Sequence, residues 1–215
     1  VDQHVDRVAE LGVIAGDETL EHAFRALTLT PPGESDIARE IGKNIDPDVI
    51  FASREALAET IARSNEGASR SLYGSLAFKG RFSPDAVSAG RRALRNTLLD
   101  YLAILPGGAE LAHAHFAKAT NMTDRAAALA VLAHRHPGAQ ETIDALKVFE
   151  KRYRSDQLAM DKWLTIQATA PGVATLDKVR ALTAYAGFTM HNPNRVRALI
   201  GAFATANQTA FNRPD

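Results

Sequence analysis

Two arginines in one helix start are the residues best suited to hold something. They lie in the stretch His191-Asn192-Pro193-Asn194-Arg195-Val196-Arg197-Ala198-Leu199-Ile200-Gly201-Ala202-Phe203. A guanidinium is planar and offers paired donors, so it fits a carboxylate or a row of carbonyls. Asn192 has the side chain of a helix N-cap, and Pro193 fits the first helical position. Val196, Leu199, Ile200 and Phe203 form the apolar stripe. At ~100° per residue, Arg195 and Arg197 fall on opposite flanks of that stripe. Neither is expected in the core and both border it. From the residues alone, two arginines bracing neighbouring helices is the favoured reading, and a ligand-holding role stays open beside it.

The histidines point to less. His113 and His115 are two apart, as are His134 and His136. On a helix that spacing sends the rings to different faces, whereas a metal-ligand pair needs i, i+4. Surface or capping histidines are the expectation, with His136 at a helix end ahead of Pro137. No His-Glu-x-x-His motif occurs, and Glu21-His22 comes closest. A phosphate-binding glycine loop and a Gly-x-Ser-x-Gly elbow are also missing, and there is no cysteine nucleophile. The expectation is no catalytic residue and no metal site in this chain. Arg91, Arg92 and Arg95 read as a solvated face. Asp161-Lys162 reads as a charged pair on a buried helix, snorkelling or paired with a neighbour.

These groups have to be positioned by helices. Asp17 is expected to cap a helix with the stripe Leu20, Ala23, Phe24 and Leu27, which Pro31-Pro32 ends. Ser35 is expected to cap a short helix through Ile41. Asp46-Pro47 opens a longer one with Ile50, Leu57 and Ile61, resuming through Leu72 and Leu76. Ser83-Pro84 repeats the device ahead of Val87, Leu94, Leu98, Tyr101, Leu102 and Leu105, and Pro106-Gly107-Gly108 breaks that helix. Further helices are expected over about 109–118, from Thr123 to before Pro137, over 139–153, 156–169 and from Thr175 to about 185. The 156–169 segment carries apolar residues on two sides, Met160 and Leu164 against Ala159, Trp163 and Ile166, as a helix sandwiched between others would. No run alternates with period two, so no sheet is predicted.

The fold expected is all-α, an irregular superhelical stack of antiparallel helix pairs of the HEAT/armadillo kind, with a compact irregular bundle as the alternative. No linker-like segment divides residues 1–215, so they read as a single helical domain. Val1, Val5, Val8 and Leu11 begin a helical pattern without a cap, and the sequence reads as a truncated portion of a larger polypeptide.

Composition bounds the function. The 215 residues are 46% hydrophobic and 23% charged, which suits a globular domain with a substantial core. Lys+Arg and Asp+Glu both number 25, so no net basic face is offered to nucleic acid. No apolar run approaches the ~20 residues of a membrane span.

Four strings then act together. Asn121-Met122-Thr123-Asp124, Met160-Asp161-Lys162-Trp163, Ile166-Gln167-Ala168-Thr169 and Phe188 through Phe203 closely resemble, in order and spacing, the C-terminal helical domain of the bacterial aminopeptidase N family of gluzincin zinc aminopeptidases. The likeness is strongest from about residue 84 to 211. It implies a superhelical domain that caps the active site of a cytoplasmic enzyme removing N-terminal residues from peptides. It implies that zinc and the catalytic groups lie in the N-terminal and catalytic domains absent here, so this chain alone is inactive, with those domains and the peptide substrate as its partners. By position in the motif it carries a substrate-facing role over to Arg197 and leaves Arg195 structural. A free-standing helical-repeat scaffold that binds a protein partner is the alternative.

Overall fold

The computed structural model describes residues 10–78 and 80–213, and no strand occurs among them. Residues Val1, Val5 and Val8 of the expected opening pattern lie outside this range. After helical residues 10–16 come α1 (His22–Thr28), α2 (Glu34–Ile41), α3 (Pro47–Ser64), α4 (Glu66–Ser75), α5 (Ala86–Leu102), α6 (Gly108–Lys118), α7 (Met122–Arg135), α8 (Gln140–Tyr153), α9 (Gln157–Ala168) and α10 (Thr175–Thr183). The chain ends in α11 (Pro193–Val196), one π-helical segment (Arg197–Gly201), α12 (Ala202–Ala206) and α13 (Gln208–Phe211).

Caps set most boundaries. Asp46 accepts from the amides of Asp48 and Val49 with Pro47 in the first turn, as expected from the sequence. Asp156 accepts from the Ala159 amide at 3.0 Å. Other starts shift. Asp85, not Ser83, caps α5 by accepting from the Ser88 amide at 2.9 Å, while Ser83 Oγ donates to the Asp85 carboxylate. Asn121 rather than Thr123 opens α7, accepting from the Asp124 amide. Thr175 is no cap, because its buried hydroxyl donates to the Ala170 carbonyl. Gly33, rather than Ser35, precedes α2. Asp17 caps only a turn at Thr19, so α1 starts later than expected.

Consecutive helices pack as neighbours, α2 on α3, α6 on α7, α8 on α9 and α9 on α10, and the stack also brings α1 onto α5 and α13 onto α3. The buried apolar residues form two clusters. One gathers Ala26, Leu29, Ile61, Leu94, Leu98, Tyr101 and Leu102 in the N-terminal half. The other gathers Leu99, Phe116, Leu129, Leu132, Phe149, Trp163, Leu164, Leu199 and Phe203. Helix α5 thus serves both, and Tyr73 and Leu111 pack against each. Helix α9 is the sandwiched element that its two apolar sides predict: Met160 and Leu164, and likewise Ala159, Trp163 and Ile166, are all buried.

Two predicted stripes are only partly buried. Phe24 and Leu27 are 54% and 72% exposed, because α1 turns Arg25 and Ala26 inward instead. The Arg25 guanidinium donates to the Ala15 carbonyl, which ties the helical residues 10–16 to α1. Close approach of α1 and α5 depends on Gly90, where a Cβ would stand 2.9 Å from the Ala23 nitrogen. Val87 is 73% exposed at the first turn of α5, ahead of the point where a neighbour covers it, and Leu57 is also exposed.

Candidate functional site

Asn192 Oδ1 accepts from the amides of Asn194 and Arg195 with Pro193 in the first turn, so the helix start forms as the sequence dictates. The two arginines then part. Arg195 is only 4% exposed. Its Nη1 donates to Asp161 Oδ1 at 2.5 Å and to the Gln157 carbonyl at 3.2 Å, and its Nη2 donates to Gln157 Oε1 at 2.7 Å. Gln157 and Asp161 lie one turn apart on α9, so Arg195 braces α11 to α9. Of the two readings open for Asp161, snorkelling or a neighbouring partner, the partner holds. Arg197 is exposed and touches Asn194 Oδ1 only at 3.5 Å.

The expectation that both arginines merely flank the stripe is corrected for Arg195. Its contacts with α9 bury it. From Arg197 to Gly201 the helix widens into a π turn. Arg195, Leu199 and Phe203 are buried along one side of this stretch. Thr165 on α9 reaches this turn, its hydroxyl donating to the Ala198 carbonyl at 3.0 Å.

The other candidates are structural and not where the sequence put them. Arg91 donates to the carbonyls of Ser75, Leu76 and Ala77, and Arg95 to that of Tyr73. These guanidiniums satisfy the last carbonyls of α4, where cations are favoured. Arg92 donates to the Ser83 carbonyl and lies over the Phe82 ring. The trio clamps carbonyls of Tyr73, Ser75, Leu76, Ala77 and Ser83 instead of forming a solvated face.

His115 is buried and shares a 2.7 Å hydrogen bond with the Tyr73 hydroxyl. Burial, followed by the nearby Arg95 charge, pushes its imidazole down to about 4. His134 Nε2 shares a 3.0 Å hydrogen bond with Thr169 Oγ1, and burial lowers its pKa as well, against the pull of the Ile166 carbonyl. His136 Nε2 donates to the Ala103 carbonyl at 2.7 Å. Histidines 115 and 134 are therefore interior links, not surface groups. Among the described residues no three His, Asp, Glu or Cys side chains stand together as a metal site, so these residues do not fit a zinc ion.

One polar centre went unpredicted. Arg135 donates through Nε and Nη2 to both oxygens of Asp100 and through Nη1 to Glu55, joining α7 to α5 and α3. The three residues are 35 and 80 positions apart, and no local pattern connects them.

A family model described as "Domain of unknown function (DUF3458_C) ARM repeats" matches residues 2–215. The chain belongs to this ARM-repeat family. The expected armadillo-type stack therefore stands over the compact-bundle alternative. Aminopeptidase N of Caulobacter vibrioides is 37% identical over 206 residues, which are 95% of this chain and 24% of that protein. Aminopeptidase N of Escherichia coli is 34% identical over 203 residues, 93% of this chain and 23% of that protein. The Haemophilus influenzae aminopeptidase N is 35% identical over 186 residues. The ARM-repeat chain thus spans about a quarter of the length of these curated relatives, and it is homologous to their C-terminal region. The crystal structure of Legionella pneumophila aminopeptidase A in complex with aspartic acid superposes with a TM-score of 0.80 at 24% identity, over 91% of this chain and 24% of that one. That likeness establishes the fold.

Proposed function

We propose that this ARM-repeat chain is the accessory C-terminal domain of a cytoplasmic zinc-dependent aminopeptidase, that it caps the active site and controls which peptides enter, and that Arg197 faces the peptide's downstream carboxylate or carbonyls. The observation that carries the reading is the identity of 34–37% to aminopeptidase N over nearly the whole chain, combined with its span of only a quarter of those proteins. Zinc would be held by the rest of the polypeptide. What this chain contributes is a capped helix start that presents the exposed Arg197 guanidinium.

The two arginines support the division of roles. Arg195 is buried and committed to Asp161 and Gln157, which turns its guanidinium toward α9. Arg197 is exposed, on a turn anchored on both sides by buried residues. The outward-facing Phe24, Leu27, Val87 and Leu158 suit a chain that packs against more polypeptide.

The test is Arg197→Ala in the full-length enzyme. The KM for tripeptides should rise by about five- to tenfold, the size of one lost solvent-exposed hydrogen bond of about 1 kcal/mol. The KM for amino-acid amides should stay level. An equal change for both substrates would overturn the role of Arg197.

A further inference from the structure

The wide turn that carries Arg197 is met by one side chain from the neighbouring helix. In an α-helix the Ala202 amide would bind the Ala198 carbonyl, four residues back. Here it donates to the carbonyls of Arg197 and Leu199 instead. Ala198, itself buried, is left without its regular partner, and the Thr165 hydroxyl fills that place at 3.0 Å. A buried carbonyl needs such a donor, so the hydroxyl favours the wide turn over the regular one.

The turn sits between two fixed points. Upstream, Arg195 is held by Asp161 and Gln157. Downstream, Phe203 is buried in the core. Closing the wide turn would rotate one side against the other by one residue, about 100°. Arg197 is the first residue of the turn and lies between the anchors, so it takes up the change. Wide turns within helices often mark functional positions.

We propose that Thr165 is a positioning residue: by donating to the Ala198 carbonyl it holds the π turn open and so sets the direction in which Arg197 leaves the surface. The kinetic consequence rests on the reading of Arg197 as peptide-binding, whereas the hold on the turn does not.

The test uses the full-length enzyme with Thr165→Val, Thr165→Ser, Arg197→Ala and the Val/Ala double variant. Crystal structures of the Thr165 variants accompany tripeptide and amide kinetics. In the Val variant the Ala202 amide should return to Ala198, and the tripeptide KM should rise by about three- to tenfold with kcat and the amide KM unchanged. Serine, which keeps the hydroxyl, should restore both turn and KM. The double variant should be no worse than Arg197→Ala alone.

A Val variant that keeps its wide turn overturns the proposal, as does an effect that adds in full to Arg197→Ala or falls on both substrates alike. If Arg197→Ala leaves the tripeptide KM unaltered, the peptide-binding reading fails, and the Val structure still decides whether Thr165 holds the turn.

Discussion

Arg195 reaches Asp161 across the α11–α9 junction at 2.5 Å, while Arg197, two residues on, stays in solvent. Their removal should therefore read differently in stability. Arg195→Ala strands a half-buried carboxylate and should cost about 2–3 kcal/mol, below the range for fully enclosed pairs because Asp161 keeps some solvent access. Arg197→Ala should stay within about 0.5 kcal/mol. Urea denaturation of both variants checks this, and equal losses would contradict the assignment.

The Arg135 fork predicts a second cost. Asp100 takes two of its donors and Glu55 one. Burial works against the Arg135 charge, but these two carboxylates more than offset it and hold its pKa above the ordinary value. Asp100→Asn should lower stability by about 1–3 kcal/mol and Glu55→Gln by less, because Glu55 takes one donor and Asp100 two. The urea midpoint of each variant is the measurement.

His115 gives the chain a dependence on pH. Its folded-state imidazole titrates near 4, below the ordinary 6.5. Between those values the unfolded chain takes up a proton that the folded chain refuses, so stability should fall as pH drops from about 6.5 to about 4 and then level off for this group. His134, lowered in the same direction, adds to the slope. Thermal melts of the His115→Gln variant across that window should show a shallower decline than the parent; an unchanged slope would rule His115 out as a source.

The loop before α6 depends on glycine. At Gly108 a Cβ would stand 2.1 Å from the Ala103 carbonyl oxygen, whereas at Gly138 nothing lies within 4 Å. Gly108→Ala should cost about 1–3 kcal/mol through forced displacement, and Gly138→Ala should be nearly neutral. Gly107, with φ of 78°, should also resist alanine, since the left-handed region disfavours a Cβ. Parallel thermal melts of the three variants decide it.

The helices were legible where chemistry is local. Asp46-Pro47, Asn192-Pro193 and Asp156 announce their helix starts, because a capping oxygen needs only its own next few amides. The sandwiched α9 was legible from its two apolar sides. Phe24, Leu27 and Val87 were misread because periodicity shows which residues share a face and cannot show which face a neighbour covers. The burial of Arg195 was hidden for another reason. Its partners Asp161 and Gln157 lie 34 and 38 positions back on α9, and no local pattern connects them. The Arg91, Arg92 and Arg95 clamp depends on carbonyls of the 73–83 segment, whose approach only the packed chain provides.

Helix α5 puts Leu98 into one core and Leu99 into the other. A chain built this way opens from its ends rather than all at once. Amide hydrogen exchange should find α1 and α10 to α13 yielding first and α5 last. The halves also touch where α13 lies on α3 and where Arg135 reaches Glu55, but α5 is the helix whose residues enter both cores, so a change in it loosens both sides together.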